Sequence, residues 1–142
     1  MAEEDGLIRG VPKIAPVAKK QKEKGILTLE EVNRLFSFRW MSKQTHCHLP
    51  KPIIIGYTGN LLAASTGLRL SELQGLMIRN LHLADGYITV KRSWDSRLNR
   101  LNETTKTGRE RTIFIPEKVI EAIHILLSVH PFKNNPDALL FY

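Results

Sequence analysis

Cysteine is almost absent. Cys47 is the only one in 142 residues, which excludes an internal disulfide framework and suits a reducing cytoplasm. Long apolar runs are missing too: the longest, such as Ile53-Ile54-Ile55 and Leu61-Leu62-Ala63-Ala64, fall well short of the roughly 18 residues a membrane-spanning helix needs. The opening Met1-Ala2-Glu3-Glu4-Asp5 is acidic and leads into no apolar segment, which is not the pattern of a secretory signal. Metal-ligand spacing is lacking as well. His46-Cys47-His48 are adjacent, so they point in different directions and read as a polar loop, and neither His124 nor His130 has a partner at ligand spacing. No metal or other cofactor is expected. Acidic residues are also scarce, fourteen against twenty-one Lys and Arg, for a net charge of +7 and a pI near 9.8. That balance favours a polyanionic partner.

With 42% apolar and 25% charged residues, the chain has the composition of a globular protein and the length for one core. From Arg9 to Lys24 there are six basic residues, one acid and two prolines without a sustained apolar period. Residues 1–26 therefore read as a basic linker or arm, and 27–142 as the folded domain. Order begins at Leu27-Thr28-Leu29-Glu30-Glu31, where Thr28 and Glu31 have capping-box spacing and Val32, Leu35 and Phe36 share a helical face. A second helix is predicted over about 53–65, with Ile54, Tyr57, Leu61 and Ala64 at helical spacing and Gly67 as its left-handed stop. Tyr57 on that stripe reads as a core aromatic, not a nucleophile.

Ser71 and Gln74 signal a further helix start, leaving Arg69 in the turn between two helices, where a guanidinium can be aimed from a rigid base. Glu72 falls in the first turn of the new helix, close enough to orient Arg69; a plain surface ion pair is the alternative. Residues 85–116 change period. Asp85-Gly86 marks a turn, Tyr87-Ile88-Thr89-Val90 and Arg111-Thr112-Ile113-Phe114-Ile115 read as strands, and 98–105 is extended but polar. Two or three antiparallel strands are predicted, with Thr107-Gly108-Arg109 at a hairpin tip. Lys91, Arg92, Arg97, Arg100, Lys106, Arg109 and Arg111 stand here against Asp95, Glu103 and Glu110. Such a ribbon can track a nucleic-acid backbone, or guard a sheet edge. Pro116 then opens an amphipathic helix with Val119, Ile120, Ile123, Leu126 and Leu127 inward, ending near His130-Pro131.

The string from Ala64 to Leu73, with Thr66-Gly67-Leu68-Arg69 followed by Ser71-Glu72-Leu73, resembles the first arginine box of tyrosine recombinases, the phage-type integrases. Thr105-Lys106-Thr107 resembles their catalytic lysine turn, Arg111 to Pro116 the strand leaving it, and Leu27 to Glu31 the opening of their catalytic domain. The resemblance covers about 27–142. It implies an α+β fold, mostly helical with a small antiparallel two- or three-stranded sheet, and a reaction that cuts and rejoins DNA through a phosphotyrosyl intermediate without metal or nucleotide. Arg69 would clamp the scissile phosphate, Glu72 support it, and Lys106 protonate the departing 5′ oxygen. Lys91, Arg92, Arg97, Arg100, Arg109 and Arg111 would hold double-stranded DNA, mainly at phosphates. The family also needs His-x-x-Arg, a further His or Trp, and a nucleophilic Tyr. None is found in these residues, and Tyr142 follows a segment resembling the one before the second box. The expectation is therefore a truncated catalytic domain, inactive alone, from a cytoplasmic, nucleoid-associated protein whose full-length form assembles as a tetramer on DNA. The alternatives are a non-catalytic DNA-binding module derived from an integrase, and a basic protein- or RNA-binding domain.

Overall fold

Two helices form the spine of the domain. The computed structural model describes residues 25–37, 50–105 and 108–142. Helix α1 (Leu29–Leu35) starts at Thr28, whose hydroxyl accepts from the Glu31 N–H while the Glu31 carboxylate accepts from the Thr28 N–H at 2.8 Å. Helix α2 (Lys51–Thr66) begins two residues before the predicted start, because Pro52 is tolerated in a first turn, and ends at Gly67 with φ +67°. Ile54, Tyr57, Leu61 and Leu62 are buried along it. Ala64, expected on the same stripe, is exposed.

The long helix after the sheets packs on α2. This is helix α4 (Glu117–Val129), which buries Val119, Ala122, Ile123 and Leu126, and where it meets α2 the hydroxyl of Thr58 donates to the Ala122 carbonyl at 3.4 Å. Between α2 and α4 lie the short helix α3 (Leu70–Gln74), a single 3-10 turn (Ile78–Asn80), and five strands: β1 (Leu81–His82), β2 (Tyr87–Val90), β3 (Ser93–Asp95), β4 (Arg100–Asn102) and β5 (Arg111–Phe114). They make an antiparallel sheet ordered β1-β2-β5 and a separate β3-β4 ribbon. Two or three strands were expected; β1 and β3 are too short to leave a period in the sequence.

Pairing of Ile88 with Ile113 and of Val90 with Arg111 sets the register of β2 against β5. Side chains alternate across the pleat, so Ile88 and Val90 enter the core while Tyr87 and Thr89 face outward. The chain's last stretch is held beside the 3-10 turn: Leu140 N–H donates to Leu76 C=O at 2.8 Å, and Ile78 N–H to Ala138 C=O at 3.0 Å. Leu140 is consequently fully buried.

His130, at the end of α4, is a structural side chain. Its Nδ1 accepts from the Phe132 N–H at 3.1 Å, which leaves Nε2 to donate to the Leu139 carbonyl, also at 3.1 Å. The half-exposed Tyr142 packs its ring edge-on against this imidazole at 4.6 Å between centroids. No helix among the described residues is long and apolar enough to cross a membrane.

Candidate active site

The left-handed turn at Gly67 reverses the chain after α2, and Leu68 is buried as an anchor. Arg69 follows in extended conformation at φ −69° and ψ 150°, so it, and not Ser71, is the N-cap residue of α3. The sequence rule fails here because Glu72 sits three residues beyond Arg69 and turns its own carboxylate back onto the helix entrance. Its Oε2 accepts the Arg69 N–H at 3.0 Å.

Glu72 is 1% exposed, unusual for a carboxylate. It remains charged because it is surrounded by donors. Besides the Arg69 N–H, its Oε1 accepts from Arg69 Nη1 at 3.3 Å and Arg111 Nη1 at 3.0 Å, and its Oε2 accepts from Arg111 Nη2 at 2.8 Å. An ionised carboxylate offers about four lone-pair positions, and four donors occupy them. The Arg111 fork is the chief reason the Glu72 carboxyl lies at about 2 instead of its ordinary 4.5, against the opposing effect of burial. The same fork raises the Arg111 guanidinium.

The sign of the pH effect follows. Glu72 has a folded value below its unfolded one, so its contribution is complete above about pH 4.5 and is lost as pH falls toward about 2. A gap of that size corresponds to on the order of 3 kcal/mol. Urea unfolding between pH 4.5 and 2 should therefore lose more stability in the wild type than in Glu72→Gln. Parallel profiles for the two proteins would show that this carboxyl is not the group responsible.

The two arginines are placed differently. Arg69 is 56% exposed at its side chain and has one long side-chain bond to Glu72. Two guanidinium groups share one carboxylate, so a unit of positive charge is left over where Arg69 meets solvent. Arg111, expected as a phosphate contact on the ribbon, instead turns its guanidinium inward onto Glu72. The pleat dictates this: Arg111 and Ile113 share the covered face of β5, while Thr112 and Phe114 share the exposed one.

Lys106 and Thr107 lie outside the described residues, as do His46, Cys47, His48 and residues 1–24 of the basic arm. The turn's flanks are described. Thr105 is buried and donates its hydroxyl to the Arg109 carbonyl at 3.1 Å, Gly108 N–H donates to Thr105 C=O at 2.9 Å, and Gly108 has φ +68°. The other expected DNA contacts divide into two groups. Lys91 pairs with Glu110 and Arg92 with Glu103, both at 2.9 Å. Arg97, Arg100 and Arg109 are exposed. Sequence reasoning passed over Arg79, which pairs with Asp137, and the open face of the three-stranded sheet, where His82 stacks on Tyr87 and Phe114 stands 78% exposed. Strand parity separates Phe114 from Ile113, but only the register that sets Tyr87 opposite Phe114 shows that these rings share one face. Among the described residues, no group of three or more His, Cys, Asp or Glu could hold a metal ion.

Mixed helix with small antiparallel sheets of three and two strands matches the catalytic-domain fold of the tyrosine recombinases. The chain belongs to the phage integrase family, whose profile matches residues 25–142. Among solved structures, it is similar to a Tn1549 transposon integrase in complex with a circular intermediate DNA. The two are 23% identical with a TM-score of 0.63 over 99% of this chain and 46% of that one. It is likewise similar to the XerA recombinase, at 18% identity and a TM-score of 0.57 over 99% of this chain and 41% of that one. The chain thus spans less than half the length of these structures. No curated protein matches it.

Proposed function

We propose that this chain supplies the first half of the active site of a site-specific DNA recombinase, which integrates or exchanges DNA by strand cleavage and rejoining. The observation that carries the reading is the cation left over at Arg69, exposed and braced on the buried Glu72. In such a reaction a tyrosine oxygen bonds to phosphorus, the bond to the 5′ oxygen breaks, and that oxygen takes up a proton. Negative charge builds on the non-bridging oxygens, where a fixed guanidinium is most effective. Arg69 is assigned that role, Glu72 holds it, and Lys106 is the general acid. The attacking tyrosine is assigned to none of residues 1–142, so the chain alone is expected to form no covalent link to DNA. Assembly as a tetramer on DNA belongs to the longer protein, and work on cellular DNA would place it in the cytoplasm with the nucleoid.

Exposed Arg97, Arg100 and Arg109 support a docking role for the β3-β4 ribbon and the 105–109 turn. A titration of this chain with a short DNA duplex tests the reading. Affinity should fall with added salt, and Arg69→Ala should lower the salt slope by about one, as expected for one lost phosphate contact. Binding indifferent to salt would overturn DNA docking. A covalent adduct formed by this chain alone would overturn the assignment of the nucleophile elsewhere.

A further inference from the structure

Arg111 has a task that its place among the ribbon cations hides. We propose that it is a positioning residue: its fork occupies Glu72, so Arg69 stays loosely held with most of its donors turned outward to a phosphodiester. This rests on the function proposed above.

Geometry carries the inference. Arg111 reaches Glu72 from β5, 39 positions along the chain, with two bonds of 3.0 and 2.8 Å, one to each carboxylate oxygen. Arg69 comes from the residue preceding α3 and makes one side-chain bond, at 3.3 Å, to an oxygen it shares with Arg111. A guanidinium has five N–H donors in a planar fork, so among the described residues one long side-chain bond leaves the rest of Arg69 uncommitted. Without the Arg111 fork, a buried carboxylate would face Arg69 as its only cation among these bonds. A bidentate pair between neighbours at i and i+3 would then form, and Arg69 would be drawn inward. Arg111 also opens β5 just after the turn closed by Thr105 and Arg109. The same fork therefore fixes the exit of the lysine turn against the entrance of α3.

The test compares Arg111→Met, which keeps length and removes the fork, with Arg111→Lys, which keeps charge but holds a carboxylate at one point. Two readouts are taken on folded protein, as checked by thermal melting. One is the NMR signal of the Arg69 Nε–H group without DNA; the other is affinity for a short duplex. In Arg111→Met the Arg69 signal should shift and slow its exchange with solvent, and duplex affinity should fall about as far as in Arg69→Ala. The double variant Arg69→Ala/Arg111→Met should be no weaker than Arg69→Ala, because both changes remove one contact. Adding Glu72→Gln to Arg111→Met should return much of the lost affinity, since no charge then draws Arg69 inward. Arg111→Lys should lie between the wild type and Arg111→Met, and decides the matter if the methionine variant does not fold. An unmoved Arg69 signal, or losses that simply add, would overturn the proposal. Failure of the wild type to bind duplex would instead overturn the DNA reading, leaving the NMR result to judge Arg111.

Discussion

Replacing Glu72 by alanine is expected to lower folding stability by about 3–5 kcal/mol, the range for breaking a buried ion pair by removing one partner. The loss has two sources. The side chain is 1% exposed and accepts four hydrogen bonds, so its removal frees the Arg69 N–H at the helix entrance and strips Arg111 of both bonds to the carboxylate. A cavity of carboxylate size is left beside two cations. In a domain whose total stability is of the order of 5–15 kcal/mol, this approaches the threshold of unfolding. Thermal melting should fall by on the order of 10 °C or more. A paired replacement, Glu72→Met with Arg111→Met, should recover a substantial part of the stability, because exchanging a whole buried pair for apolar groups is often nearly neutral. A drop of only a few degrees for Glu72→Ala would mean that the carboxylate is not the anchor of α3.

The elements with a strong local period were legible in the sequence. The stripe of α4, that of α2 apart from Ala64, the left-handed stop at Gly67 and the strands β2 and β5 follow from apolar spacing and turn chemistry, and are present. Arg69 and Glu72 were legible as a pair because they stand at i and i+3. What was hidden depends on contacts between distant segments. The strand β1 has two residues and is defined only by its pairing with β2. The 136–140 stretch has no helical or strand period and becomes ordered against residues 76–79. Arg111 looked like one of seven cations on a ribbon, although its parity with Ile113 was already in the sequence. Alternation tells which residues share a face, not which face meets a buried acid.

Gly75→Ala should be about as damaging as a poor core substitution, at the upper end of the roughly 1–3 kcal/mol that overpacking costs. Conformation is not the obstacle, because Gly75 has φ −87° and ψ 3°, which alanine adopts freely. Space is. A Cβ there would stand 2.9 Å from Ser93 Cα and 3.0 Å from both Ser93 N and C. These are backbone atoms that cannot swing aside. Ser93 is itself fixed at the head of β3, paired with Asn102 and donating its hydroxyl to the Thr104 carbonyl at 2.9 Å. Either the β3-β4 ribbon or the end of α3 must give way. Movement of α3 carries Glu72 with it, so duplex binding should weaken along with stability. Gly56 supplies the opposing control, since it lies inside α2 with nothing within 4 Å of an added Cβ. Gly56→Ala should therefore raise stability by about 1 kcal/mol through helix propensity alone. Opposite signs for the two substitutions in the same melting experiment would locate the close approach of α3 and β3. A neutral or stabilising Gly75→Ala would mean that the two elements are not packed backbone to backbone.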